Sequence, residues 1–176
     1  MLNISIPVQR GRKALRNRFR PACLQLLFIG EAPPASGRFF YQADSGLYRA
    51  MRDTFHLIDP TILDANFLSE FRARGCYLID LCPDPVDQLA PNLRRAACAA
   101  NEGTLAHTIS QLQPRAVATV VRSIEGNVAR SLSLANWHGP IFHLPYPGRW
   151  CHHKAEFIRA LEPQLKSLQR TAIVQP

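Results

Sequence analysis

Four short apolar runs punctuate the chain, separated by longer stretches whose apolar residues recur at helical spacing. The first, Leu24 to Ile29, stops at Gly30-Glu31-Ala32-Pro33-Pro34. The second, Cys76 to Cys82, ends in Pro83-Asp84-Pro85, and the third is the β-branched run Ala116 to Val121. The fourth, Ile141 to Leu144, runs into Pro145-Tyr146-Pro147-Gly148-Arg149-Trp150. Runs of this length bounded by turn signals are the pattern of strands buried on both faces. Between them, Leu47, Met51, Thr54 and Phe55 mark a helix that Asp44 or Ser45 caps and Asp59-Pro60 ends. Thr61 to Arg72 predicts a short helix or structured loop, and Leu93 to Gln113 a helix in two parts around Gly103. Ile124 to Leu134 predicts a further helix, and His153 to Gln169 a last one with Phe157, Ile158, Leu161, Leu165 and Leu168 on its apolar face.

Strands alternating with helices predict an α/β fold, a three-layer sandwich around a central, mainly parallel four-stranded sheet. Right-handed crossovers gather the loops that follow the strands on one edge, where such folds place ligands. The 176 residues suit one domain, here 23–176, with residues 1–22 as a basic arm. That arm holds Arg10, Arg12, Lys13, Arg16, Arg18 and Arg20 and no acid, with a short helical turn expected over Arg12 to Asn17 and an end at Pro21. It reads as a phosphate-contacting arm, a solvated tail or a targeting segment.

Composition narrows the classes. Hydrophobic residues make up 47% and charged residues 19%, which excludes a disordered chain. A net charge of +8 and a pI near 9.8 favour a polyanionic partner, nucleic acid first. Five scattered cysteines form no disulfide framework, and no run approaches the roughly 20 residues of a membrane span. A cytoplasmic monomer without a membrane partner is the expectation. Cys151-His152-His153, with His138 and His143, matches no standard zinc spacing, so no metal or cofactor is expected.

The loop after the first strand is the chemical focus. Glu31 is the first acid of the chain, and Gly37-Arg38-Phe39-Phe40-Tyr41 sets three aromatics beside an arginine. Gly30-Glu31-Ala32-Pro33 followed by Gly37-Arg38-Phe39-Phe40 resembles the first motif of the uracil-DNA glycosylase superfamily, closest to its thermophile-type branch. The resemblance spans roughly residues 24–168 and implies a uracil-DNA glycosylase-like fold. It also implies hydrolysis of the N-glycosidic bond of a damaged or deaminated base in DNA. On it, Glu31 matches the acid that activates or positions water, and Phe40 the aromatic that stacks on the flipped base, with Gly30, Ala32 and Pro33 lining the pocket. The alternative for Phe40 is a core position.

Two motifs depart from the family. Asp80 stands where an asparagine reads uracil; an ionised carboxylate only accepts hydrogen bonds, so it would favour a base with an exocyclic amine. Protonation by burial or a structural role are the other readings of Asp80. Leu144 stands where a histidine stabilises the leaving base, with His143 beside it and Tyr146 downstream. Arg38, Arg149 and Trp150 are the candidate DNA contacts. Cys82 and Cys98 have the spacing of one cysteine pair of the branch's iron–sulfur cluster, but only Cys23 precedes the first motif. A catalytically silent nucleic-acid or base binder and a nucleoside-processing hydrolase are the competing readings.

Overall fold

In a computed structural model, which describes residues 6–148 and 150–173, the four apolar runs become β1 (Leu26–Gly30), β2 (Cys76–Asp80), β3 (Ala116–Thr119) and β4 (Ile141–His143). They form one sheet in the order β2-β1-β3-β4, and every pairing is parallel. Leu26, Leu27, Phe28 and Ile29 are fully buried, which is why β1 reads as an unbroken apolar run rather than an alternating one. β4, at the far edge, is short and largely exposed.

The helices are α1 (Ile6–Arg18), α2 (Gly46–Ile58), α3 (Phe67–Ala73), α4 (Pro91–Ala100), α5 (Glu102–Leu112), α6 (Glu125–Leu134) and α7 (Cys151–Ile173). Right-handed crossovers place α2 and α3 on one face of the sheet and α5 and α6 on the other. After β4 the chain returns to the first face, where α7 packs on α2 with Phe157, Leu161 and Leu165 buried. Lys154 of α7 pairs with Asp53 of α2 across that contact. The result is the three-layer sandwich that the alternation of runs predicts.

Local chemistry sets the boundaries. Ser45 caps α2, its Oγ accepting from the Tyr48 N–H at 3.1 Å. Asp44 does a different job: its carboxylate accepts from the Phe39 N–H at 2.7 Å and pins the aromatic loop. Pro91 opens α4 at a position where its missing N–H costs nothing. The break between α4 and α5 falls at Asn101, not at Gly103. The Asn101 amide donates to the Ala97 carbonyl at 2.9 Å and closes the first helix, while Gly103 sits in the first turn of the second.

The aromatic loop belongs to the core. Phe40 and Tyr41 form a 3₁₀ turn with Gln42, and Phe40 packs against Tyr48, Phe67 and Phe71. Phe28 of β1 meets Phe71 of α3 at 5.7 Å, so one aromatic cluster joins sheet, loop and helices. Tyr41 also finishes the sheet. Its hydroxyl accepts from the Leu78 N–H at 2.8 Å and donates to the Leu78 carbonyl at 3.0 Å, satisfying the outer edge of β2. Burial pushes the Tyr41 hydroxyl well above its ordinary pKa, so it remains a donor.

The basic segment is more ordered than a short turn. α1 runs for 13 residues and docks beside β2. Phe19 stacks on Tyr41 at 5.7 Å, Asn17 accepts from the Tyr77 hydroxyl at 3.4 Å, and Gln9 bonds to Asp84. No helix among the described residues is long and apolar enough to cross a membrane.

Candidate functional site

The site sits at the carboxyl edge of the sheet, where the loops after β1 and β2 are clamped together. The Leu81 N–H donates to the Gly30 carbonyl at 2.9 Å and the Cys82 N–H to the Glu31 carbonyl at 2.8 Å. Gly30 and Asp80 are register partners. A side chain at position 30 would place its Cβ 2.5 Å from Asp80 Oδ1, so only glycine allows the carboxylate to lie there. Gly37, at φ +85°, turns the loop back and supports the aromatics that follow. Asp87 accepts from the Ala35 N–H at 3.2 Å and holds the loop from the β2 side.

These loops enclose a cavity of about 300 Å³. Of the residues singled out from sequence, Gly30, Glu31, Ala32, Pro33, Arg38, Phe40, Asp80 and Tyr146 line it. Phe39, Leu47, Leu78, Val120 and Val121 supply further apolar wall, and Arg94 and Asp87 further charge. Phe40 is 4% exposed and embedded in the aromatic cluster, the core position that the sequence allowed, and it also lines the cavity. Tyr146, from the loop after β4, is half exposed at the rim.

Three carboxylates line the cavity; Asp87 is held by the Ala35 N–H, and Glu31 and Asp80 differ in their partners. Glu31 is held by Arg94 of α4 in a two-pronged ion pair; Nε donates to Oε1 at 2.6 Å and Nη2 to Oε2. The glutamate side chain is 12% exposed, and the pairing raises the pKa of Arg94 further. A carboxylate offers about four acceptor positions, so a fork of two leaves room for a water. Among the described residues Asp80 has no such partner. Burial pushes its carboxyl up to about 6, against the opposing pull of Arg16 and Arg12 from α1. It therefore changes from an acceptor to a donor just below neutral pH.

Cys82 and Cys98 lie behind Glu31 with sulfurs 3.8 Å apart, and Cys98 Sγ is 3.8 Å from Glu31 Oε1. Burial pushes the Cys82 thiol up to about 12 and raises Cys98 too, so both are neutral small groups at physiological pH. Cys23 precedes β1 and lies at the opposite end of the sheet from Cys82. Among the described residues no group of three or more His, Cys, Asp or Glu could hold a metal ion.

Other sequence candidates fall outside the cavity. Leu144 is 1% exposed and points into the core, so it contributes no wall. Its neighbour His143 faces away, with Nδ1 3.0 Å from Thr119 Oγ1 and 3.8 Å from Glu125, as strand alternation requires. Trp150 is 63% exposed at the start of α7 and is not part of the wall. Arg149 lies outside the described residues. No local sequence signal marks Arg94, which is 63 positions from Glu31 with no motif joining them.

A larger groove, about 890 Å³, opens at the amino end of the sheet between Phe19, Cys23, Arg72, Arg74 and Leu165. Among the described residues its lining includes no acid and none of the motif residues. No family model matches the chain, and no curated protein matches it significantly.

Proposed function

We propose that the protein is a DNA glycosylase-like hydrolase that binds a flipped damaged or deaminated base in the cavity at the carboxyl edge of the sheet. The observation that carries this reading is the convergence of Glu31, Phe40 and Asp80 on one small, mostly apolar cavity. An unstacked base needs a flat apolar wall and a few placed polar groups, and these three residues supply both. The basic surface, +8 overall, fits a nucleic-acid partner.

In this reading Asp80 meets the polar edge of the base. Ionised, it accepts from an exocyclic amine; protonated, it donates to a carbonyl. Glu31 acts on the sugar side. Its carboxylate orients the attacking water and opposes the positive charge that develops as the bond to the base breaks. Water adds its hydroxyl to C1′, and its proton ends on the departing base or in solvent. Arg94 is a positioning residue: it fixes the carboxylate plane and weakens its negative field. Arg94→Gln is expected to lower kcat more than it alters KM, and an equal rise in KM alone would assign Arg94 to binding.

A second reading has specific support. With Glu31 already engaged by Arg94 and Leu144 in the core, a binder that holds a base without excising it fits the same geometry. Oligonucleotides carrying uracil, hypoxanthine, xanthine and alkylated bases separate the two. Abasic product from at least one, lost by a factor of about 100 or more in Glu31→Gln, supports hydrolysis. Salt-sensitive binding without product from any of them supports the binder.

A further inference from the structure

A second cavity, of about 420 Å³, adjoins the first and is bounded by α1, the end of β2 and α5. The two share Pro33, Phe39 and Asp80 as a common wall. Four cationic side chains, Arg12, Lys13, Arg16 and Arg20, line this second space against the single carboxylate of Asp80. Arg12 and Arg16 are one four-residue step apart on α1, which puts like charges on one stripe, and Arg20 follows just past the end of the helix. Such a stripe destabilises an isolated helix and favours an anion against it. Opposite them α5 presents Thr104 and Gln111, whose hydroxyl and amide add neutral donors, while the Thr108 hydroxyl donates to the Thr104 carbonyl at 2.9 Å.

The guanidinium groups are placed but incompletely satisfied. Arg12 lies over the Phe39 ring, 5.8 Å from its centroid, and its Nη2 donates to the Gly37 carbonyl at 3.4 Å. Its Nη1 and the Nε of Arg16 are shielded from solvent and have no hydrogen-bond partner among the described residues, although the Tyr77 side chain lies against the Arg16 guanidinium. A shielded donor on a charged group is costly to leave unpaired, and a multi-oxygen anion is the ligand that pairs several at once.

We propose that this second cavity is a phosphate-binding pocket, and that one nucleotide spans both cavities, its base beside Asp80 and its phosphate between Arg12 and Arg16. The pocket itself stands on the cations; the spanning nucleotide rests on the base-pocket reading above. A guanidinium fork matches a phosphate in a way an ammonium cannot, so the two arginines rather than Lys13 carry the recognition.

The experiment is calorimetric titration of the full chain with inorganic phosphate, a deoxynucleoside 5′-monophosphate, the matching nucleoside, and an oligonucleotide with and without a 5′-phosphate. Arg12→Gln/Arg16→Gln is compared with Arg10→Gln/Arg18→Gln, which removes the same charge from α1 outside the cavity. Arg12→Lys/Arg16→Lys keeps the charge and loses the forks, and thermal unfolding confirms that each variant is folded. Phosphate affinity is expected to fall about tenfold or more in the first pair, by less in the lysine pair and little in the control. Equal losses in the first pair and the control overturn the pocket, whatever base excision shows. A monophosphate that binds more tightly than both phosphate and nucleoside supports the spanning nucleotide. A monophosphate no better than phosphate overturns the spanning arrangement and counts against the base pocket, leaving the phosphate pocket standing. Preference for the 5′-phosphorylated oligonucleotide over the free monophosphate identifies a strand end as the source; the reverse identifies a free nucleotide.

Discussion

Asp80 departs from the pattern that the first motif leads one to expect, and Gly30 is the reason its carboxylate can sit where it does. The acid lies between two cavities, with a base-sized apolar space on one side and arginines on the other. Its carboxyl is raised from the ordinary 3.8 to about 6, because burial penalises the charged form more than Arg16 and Arg12 favour it. A raised acid makes the folded state bind the extra proton between those two values. Its contribution to stability is fully present below pH 3.8, declines as pH rises through about 6, and is lost above. Asp80→Asn removes that loss. Denaturant unfolding at pH 8 should show the variant more stable than the parent by on the order of 1–3 kcal/mol, with the gap closing at pH 4. A gap that is the same at both pH values would mean that the carboxyl titrates normally.

Glu31 and Asp80 were legible in sequence because each stands at the end of an apolar run, where chemistry gathers in parallel sheets. Arg94 was not, since an ion pair between a strand end and a distant helix leaves no local pattern. Leu144 misled in the other direction. A position aligned with a functional histidine became a core residue, because an apolar side chain at a strand end is drawn inward by burial.

Elements divide the same way. β1, β2 and β3 announced themselves because both faces are covered, and the end of α2 followed from Asp59-Pro60. The α4–α5 break falls two residues before Gly103, because glycine is the obvious breaker by composition while the Asn101 side chain does the closing. α1 was the largest gap between expectation and structure. Its residues are strongly polar, and contacts to Tyr41, Tyr77 and Asp84, far along the chain, hold it as a docked helix. Tyr41 couples α1 to the sheet, stacking on Phe19 and bonding the edge of β2 with one hydroxyl. Tyr41→Phe keeps the ring and leaves the Leu78 N–H and carbonyl unpaired. The expected cost is about 1–3 kcal/mol, with faster amide exchange at Leu78; unchanged exchange there would show that the hydroxyl does not seal the edge.

At the scale of the molecule, the charge of +8 is unevenly spent: six of the cations lie in residues 10–20, against the edge where the cavities open. That asymmetry predicts a nucleic-acid partner approaching from the α1 side. Affinity for a short DNA duplex should fall steeply with salt, with a log–log slope of about −0.9 for each phosphate neutralised. Replacing Arg12 and Arg16 should flatten the slope by up to about two. A flat slope in the parent protein would point to a small neutral ligand and against DNA.

The most direct measurement is the ratio of single-turnover excision rates for an amino-bearing and a carbonyl-bearing base in the same duplex, determined at pH 7.5 for the parent protein and Asp80→Asn. With Asp80 ionised, the parent should favour the amino-bearing base, and the amide variant should shift the ratio by about tenfold or more toward uracil. The same preference for uracil in both proteins would contradict a base held against Asp80.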